Sequence, residues 1–571
     1  MTKNSYVPFL SSVYRGILSD ASDTVPTISR DCERDLRRLL SLINARGHHF
    51  AMVDLPSFGK HFDRCLANGC LQRSSVPGFH PFRRRGVIPC LFKGFLLRIF
   101  DESGVLKDNY DVASIRYVRT LCRVFKRFRV ACPPSKVEEH VDDFITVDKD
   151  CQSPTLDWDR PDFDPSLSND LHFCDQRGET DQRAVCSDPV SKFHDHIAEV
   201  VQTTFDIMAV ALGSYDPNDW SFKHGPGAVS DAPSPSAYKY RFRNWNDRLE
   251  RVYPIADFGF ANYSLWADQA VECDISNDIT VSKLIAVPKT LDAPRLIASE
   301  PLANQWCQQN LRDFFYSRIG QTWMNSSIDF RCQSKNRDLA KLSSRVLSHA
   351  TIDLSSASDR ISCWIVERMF RRNLSVLDAL QSSRTNHVRI KFRSGSSQVL
   401  RLRKFSTMGS AVTFPIQSFL FLGLSLAALC VRRNLKPSSK ILSELAKEVR
   451  VFGDDIIIPI DSWYDVVGIL HLYGLKVNKH KSYGTGKFRE SCGLEAYAGD
   501  DVSSPYILGV PTYTRPESVI SCVDSIRNLC LLGFFRTAQV LHGIWWPPSN
   551  HEGICTVDDG KRRHWGKLSA Q

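Results

Sequence analysis

Paired cysteines are absent from this chain. Its eighteen cysteines are scattered singly, with no CxxC pair and no Cys/His cluster at zinc-finger spacing. That pattern argues against a disulfide scaffold or a zinc module and fits free thiols in a reducing cytoplasm. The start, MTKNSYVPFLSSVYRG, lacks the long apolar core of a secretory signal, so none is expected. No apolar run matches the ~20 residues of a bilayer span. The longest, Phe419 to Val431 (FLFLGLSLAALCV), reads instead as a buried helix. Internal repeats and low-complexity tracts are also missing, which excludes a solenoid or a disordered array. His194 and His196 could hold a metal, but HDH alone reads as plain surface.

What the chain does have is length and unevenly spread charge. Its 571 residues suggest several subdomains. The net charge is +10, yet residues 137–190 alone carry −11, leaving +21 elsewhere. A polyanion such as nucleic acid would meet that remainder. The acidic stretch holds DWDRPDFDP (157–165) and reads as a surface loop or linker. Within the basic part, RVFKRFR (123–129) has two readings. It is a base-stacking, phosphate-neutralising patch, or an amphipathic segment that buries Phe125 and Phe128.

Punctuated short elements follow the acidic stretch. KHGPGAV (223–229) must turn, and strand-like runs at Leu284–Val287, Ala350–Leu354 and Val449–Phe452 alternate with helical ones. Strands and helices without a regular βαβ beat predict an α+β fold.

The acids that matter sit at the ends of apolar runs. In HATIDLSSASDRIS (349–362), a β-prone run delivers Asp353, and a Ser-rich turn follows with Asp359. In VRVFGDDIIIPI (449–460), two β-branched runs flank Gly453-Asp454-Asp455, the pattern of a hairpin with an acidic turn. A second GDD, Gly499 to Asp501, lies between polar segments and reads as an ordinary turn. Carboxylates beside so much apolar surface cost on the order of several kcal/mol per uncompensated ion, which bound cations offset. Asp353 facing Asp454 would make a hard oxygen site for Mg²⁺ or Mn²⁺. Two such ions roughly 4 Å apart serve nucleotidyl transfer.

Other segments fit that chemistry. FSTMGSAVTFPIQS (405–418) supplies Ser406 and Ser410 for sugar recognition, and Gly409 for close backbone approach to a ligand. Lys283, Lys289 and Arg295 recur every six residues and are candidates to neutralise a triphosphate. Arg331 and Arg337 can add charge there and, with Arg489, contact RNA. Either Lys479 or Lys481 can protonate departing pyrophosphate. GTGK (484–487) lacks the spacing of a P-loop.

Taken in order, MVDLPSFGK (52–60), HGPGA (224–228), VPKTLDAPRLIASEP (287–301), TIDLSSASDRIS (351–362), STMGSAVTFPIQS (406–418), FGDDIIIP (452–459) and FRESCG (488–493) resemble the replicases of the leviviruses, the small RNA phages. The resemblance implies an RNA-directed RNA polymerase shaped as a right hand with fingers, palm and thumb. Asp353, Asp454 and Asp455 match its metal-binding acids, for two Mg²⁺ ions or Mn²⁺. Asp359 and the Ser406–Ser410 loop match its ribose sensor, and Lys289 and Arg295 its triphosphate-binding cations. FRESCG matches the turn under the growing 3′ end. Phe452 stands where better-known members carry Tyr, and Gln417 where many viral polymerases carry Asn.

The expected order is an N-terminal region and fingers over 1–136, the acidic loop or linker over 137–190, and fingers over 191–345. The palm follows over 346–498, with 366–404 returning to the fingers, then a short thumb over 499–571. The resemblance further implies an RNA template, nucleoside triphosphates, no membrane, and the cytoplasm of an infected bacterium. It also implies help from host elongation factors Tu and Ts and a ribosomal RNA-binding protein. Fungal RNA viruses share these motifs, but HGPGA with FRESCG leans toward the phages. A reverse transcriptase would carry a bulky residue in place of Asp359. A non-catalytic RNA-binding protein would not need three acids at apolar strand ends.

Overall fold

The computed structural model describes residues 6–175, 189–225, 227–231, 239–242, 244–269, 274–276, 279–512, 516–545, 556–558 and 563–565. The fold is α+β. The β-branched runs around Gly453 pair as expected, Arg450–Phe452 antiparallel to Asp455–Pro459. Strand His349–Ile352 joins the other edge of Asp455–Pro459, with Ile456 opposite Ile352. This three-stranded sheet is covered on both faces, and the successive Ile456, Ile457 and Ile458 are all almost fully buried. Helix Thr413–Arg432 packs against helices Pro189–Leu212 and Trp463–Leu472. It is long and apolar enough to cross a membrane, yet 89% of its most apolar window is covered by protein, so it is the expected core helix.

A second sheet has the strand order Arg295–Ser299, Val281–Val287, His387–Lys391, Ser397–Arg401. One face buries Val388, Ile390 and Leu402 against Val141 and Phe144 of helix Pro134–Asp150. Residues 137–150 are therefore helical, which corrects the loop or linker expected there. Asp148 is buried and accepts the backbone N–H groups of Arg403 and Lys404, each at 3.1 Å. DWDRPDFDP is irregular but packed. Trp158 is 1% exposed, and its Nε1 donates to Glu367 Oε1 at 2.8 Å. The density of Asp and Pro hid two apolar anchors, Trp158 and Phe163. Residues 176–188 of the acidic stretch and Pro226 of HGPGA lie outside the described residues.

The apolar side chains collect mainly into two large cores. One unites residues from Trp158 to Val477 around the three-stranded sheet. The other joins the N-terminal helices to Tyr483, Phe488, Tyr497 and residues of the helices Pro516–Leu531 and Phe535–Trp545. Residues expected as an N-terminal fingers region and as a separate thumb thus share one interior. Phe125 and Phe128 belong to it, at 1% and 2% exposure, so 123–129 buries both rings and neither is free to stack on bases. An ionic quartet closes this core. Arg119 pairs with Asp63 at 2.7 Å and with Glu495 at 2.5 Å, and Arg123 pairs with the same two acids. Burial opposes the charge on Glu495, but the two guanidiniums beside it hold its carboxyl well below the usual carboxylate range.

Removing one member of a buried ionic set strands the others in low dielectric, which costs about 3–5 kcal/mol. Glu495→Gln should lower stability to urea unfolding by that order. A loss below about 1 kcal/mol, the range of exposed pairs, would show that water reaches the quartet.

Candidate active site

The acidic hairpin depends on a tight turn. Gly453 has φ +63°, and its N–H donates to Ser418 Oγ at 3.0 Å. A Cβ there would lie 2.6 Å from the Phe414 ring and 2.7 Å from Gln417 Nε2, so the core helix leaves room only for glycine. Phe452 meets the Phe414 ring edge-on, with centroids 4.9 Å apart, which makes the aromatic residue before GDD part of the same brace. Asp454 is the exposed residue of the turn, and Asp455 opens the following strand. Ile456 faces Ile352, so the next rung of the ladder brings Asp455 beside Asp353.

The acids of this cluster repel one another. Burial pushes Asp455 up to about 7, with Asp454 and Asp353 adding to the rise, although Cys492 N–H donates to its Oδ2 at 3.0 Å. Burial likewise pushes Asp353 up to about 6. Lys481 opposes that shift, and Asp454 and Glu490 reinforce it. Asn478 Nδ2 donates to Asp353 Oδ2 at 2.7 Å, and Lys481 Nζ lies 3.5 Å from Oδ1. Burial works against the charge of Lys481, but Glu490, Asp353, Asp455 and Asp454 together hold its pKa above the usual lysine value. The donor set is hard oxygen carrying excess negative charge, which suits Mg²⁺ or Mn²⁺. Among the described residues no three His, Cys, Asp or Glu side chains stand close enough to hold an ion as they are.

The remaining candidates divide. Lys289 lies in the loop of the hairpin formed by Val281–Val287 and Arg295–Ser299. Desolvation and the neighbouring Arg295 and Lys481 lower its pKa, and Asp353 and Asp454 oppose this, which places the loop beside the acids. Lys283 does not join them. It sits opposite Ser299 and Arg389 on an exposed part of the sheet. Six residues of largely extended chain separate it from Lys289, about 20 Å. Even spacing along a strand spreads charges apart, and only the turn between Lys289 and Arg295 brings two of the three together.

Asp359 has one oxygen already engaged. Its Oδ1 accepts from Lys404 Nζ at 3.2 Å, and that ammonium is fully buried over the Phe144 ring. Ser406 is buried and accepts from Thr413 Oγ1 at 2.9 Å, while Ser410 stays partly accessible. Gly409 has φ +140°, and a Cβ there would sit 1.8 Å from the Ala298 carbonyl oxygen. The close approach that demands glycine is to strand Arg295–Ser299 and not to a ligand. Arg331 is exposed beside two hollows of about 460 and 520 Å³, where Tyr316 stacks on Phe330. Arg337 is exposed on helix Ser334–Val346. Arg489 is corrected outright. It is fully buried and donates to the carbonyls of His349 at 2.6 Å and Gly486 at 2.8 Å, so it ties two segments together and cannot reach RNA.

Residues missed in the sequence are Asn478 and Glu490. The alternation of FRES, with Arg489 turned inward and Glu490 toward the site, carried the only signal. Of the two lysines weighed as proton donors, Lys481 is the one in ion-pair range of the acids. The second GDD forms the edge of the meander Phe488–Ser491, Leu494–Tyr497, Asp500–Asp501. Asp501 there accepts the Ser503 N–H at 2.9 Å, as in an ordinary polar turn.

Acids gathered at a GDD hairpin in an α+β chain are what metal-assisted nucleotidyl transfer requires, and sequence comparison narrows the class. The chain belongs to the RNA replicase, beta-chain family, whose profile matches residues 257–543. It is 32% identical over 286 residues to the RNA-directed RNA polymerase subunit beta of Qbeta virus (strain MX1), covering 49% of this chain and 43% of that protein. It is 30% identical over 280 residues to the RNA-directed RNA polymerase beta chain of Enterobacteria phage GA, 48% of each. With the corresponding chain of Escherichia phage MS2 it shares 33% over 246 residues, 42% of this chain and 41% of that one. The chain thus spans somewhat under half the length of these relatives. The crystal structure of the RNA-dependent RNA polymerase of a human picorbirnavirus aligns with 47% of this chain and 58% of its own, at 12% identity and a TM-score of 0.34.

In the unfolded chain the Asp353 and Asp455 carboxyls titrate near 3.8. Folding raises both, so between about pH 4 and 7 the folded state holds more protons and stability falls as pH rises through that window. In chelated buffer, Asp455→Asn should therefore melt above the parent chain at pH 8, with the gap shrinking toward pH 4. A gap that is absent or constant across this range would show the acids to be fully compensated within the protein.

Proposed function

We propose that this chain is an RNA-directed RNA polymerase that copies the genome of a single-stranded RNA phage by two-metal nucleotidyl transfer. The observation that carries the reading is the meeting of Asp353 with Asp454 and Asp455, under the cationic loop holding Lys289 and Arg295, all within the segment that matches the family. Asp353, Asp454 and Asp455 would hold the Mg²⁺ or Mn²⁺ ions. Those ions supply Lewis-acid stabilisation of the attacking 3′-hydroxyl and the leaving pyrophosphate.

The chain's own residues do the rest. Lys289 and Arg295 bind the triphosphate, their charge matching its oxygens. Lys481, kept charged by surrounding carboxylates, hands its proton to pyrophosphate. Asp359 and the Ser406–Ser410 loop, through its accessible Ser410, recognise the ribose, with Lys404 fixing the Asp359 carboxylate as an acceptor for the 2′-hydroxyl. Lys283, Arg389, Lys391 and Arg393 lie exposed on or next to the four-stranded sheet and grip the RNA backbone, joined by Arg331 and Arg337.

In a right-hand layout the three-stranded sheet with helix Thr413–Arg432 is the palm and the four-stranded sheet belongs to the fingers. The joined N- and C-terminal helices complete the hand on the thumb side. Host elongation factors Tu and Ts and a ribosomal RNA-binding protein are the proposed partners, in the bacterial cytoplasm. The neighbouring Leu531 and Phe535, 74% and 66% exposed, offer an apolar place for one of them to dock.

Asp353→Asn and Asp454→Asn should each abolish incorporation of labelled nucleotide on an RNA template, with RNA affinity nearly intact. Asp500→Asn should stay close to parental activity. Substantial synthesis by either of the first two variants would sink the metal assignment. Bacterial lysate should raise synthesis by the pure chain at moderate salt, and equal rates with and without it would remove the host subunits from the proposal.

A further inference from the structure

Lys481 is shared between two acids. Its Nζ lies 3.5 Å from Asp353 Oδ1 and 3.8 Å from Glu490 Oε1, both longer than a committed charged hydrogen bond. Asp353 has little to spare. Its Oδ2 already accepts from Asn478 at 2.7 Å, Oδ1 is the less engaged oxygen, and Lys481 stands beside it. A divalent ion arriving at Oδ1 meets the repulsion of that ammonium and favours its withdrawal.

Glu490 is fixed where the ammonium would go. Strand Phe488–Ser491 is tied to Leu494–Tyr497, with Glu490 opposite Glu495. Its backbone N–H donates to Thr351 Oγ1 at 3.3 Å, which couples it to the strand that leads into Asp353. Glu495 on the same rung is saturated by Arg119 and Arg123. Among the described residues Glu490 has only Lys481 as an ion-pair partner. Its side chain is 20% exposed, partly shielded from competing solvent ions.

We propose that Glu490 is a positioning residue that takes Lys481 from Asp353 when a divalent cation enters, so that one ammonium guards the empty acid and then stands beside the loaded site as the proton donor. The proposal rests on the reading of Asp353 as a cation ligand. Without Glu490 the ammonium keeps only the acids that would hold the ion, leans on Asp353 and competes with the ion. A Glu490 that ligated the ion itself, or acted only through its charge, would matter equally whether or not Lys481 were present.

The test is a double-mutant cycle on Mn²⁺ affinity, read by electron paramagnetic resonance of free Mn²⁺ with the full-length chain. Glu490→Gln should weaken Mn²⁺ binding about 5- to 10-fold with Lys481 in place and less than about twofold in a Lys481→Ala background, a coupling of the size seen for contacting residues. Glu490→Asp should retain most of the parental affinity. An equal loss in both backgrounds, or no loss in either, overturns the proposal. If Glu490→Gln fails to fold, Glu490→Ala with and without Lys481→Ala carries the same cycle, and additive steps overturn the proposal. Failure of the parent chain to bind Mn²⁺ at all would instead overturn the metal reading on which the proposal stands.

Discussion

Negative charge held at the end of a hydrophobic sheet is the constraint around which this protein is organised. Three acids lie near one another there, and burial drives two of them, Asp353 and Asp455, toward the neutral form. Such a cluster persists only if something rigid opposes its dispersal and something positive stands near. The rigidity comes from the Gly453 turn, clamped by Ser418, Phe414 and Gln417 of a buried helix. The positive charge comes from Lys481 beside Asp353 and from Lys289 and Arg295 at the turn end of a neighbouring hairpin.

A second buried charge system works in the opposite way. The Asp63, Glu495, Arg119 and Arg123 quartet balances internally and needs no outside ion. It fastens the N-terminal helices to the strand beside Phe488–Ser491, and through that strand it bears on Glu490. Balanced charge therefore holds in place the strand that borders unbalanced charge. Arg489 adds a parallel tie, reaching the His349 carbonyl on the strand that leads into Asp353. Parts of the chain far apart in sequence thus hold the strands that carry Glu490 and lead into Asp353.

This arrangement accounts for a chain whose family match begins only at residue 257 yet whose interior depends on residues from Leu10 to Phe128. The N-terminal helices supply much of a core that the segment after Tyr483 cannot close alone. They answer to packing and to the buried Asp63, Arg119 and Arg123 charges, whereas the strand ends and loops at the acids answer to chemistry. Gly409 shows the two demands meeting. It satisfies packing against Ala298, and in doing so it fixes the loop that carries Ser406 and Ser410.

The hairpin, the core helix and the α+β class were legible in sequence because each rests on local pattern. β-Branched runs on either side of Gly-Asp-Asp dictate a strand, a turn and a strand, and an unbroken apolar run dictates burial. The same logic separated the two GDD copies, since only one is hemmed by isoleucines. Local pattern could not say which cations would converge. Lys283, Lys289 and Arg295 are evenly spaced, but a β-hairpin turns between the last two and leaves the first far down the strand. Nor could it reveal that Arg489 points inward, that Trp158 anchors an acidic segment, or that the two ends of the chain share a core. Those outcomes depend on which surfaces meet across hundreds of residues. Such meetings are decided by the shape and charge of the partner surface, information that no single segment contains.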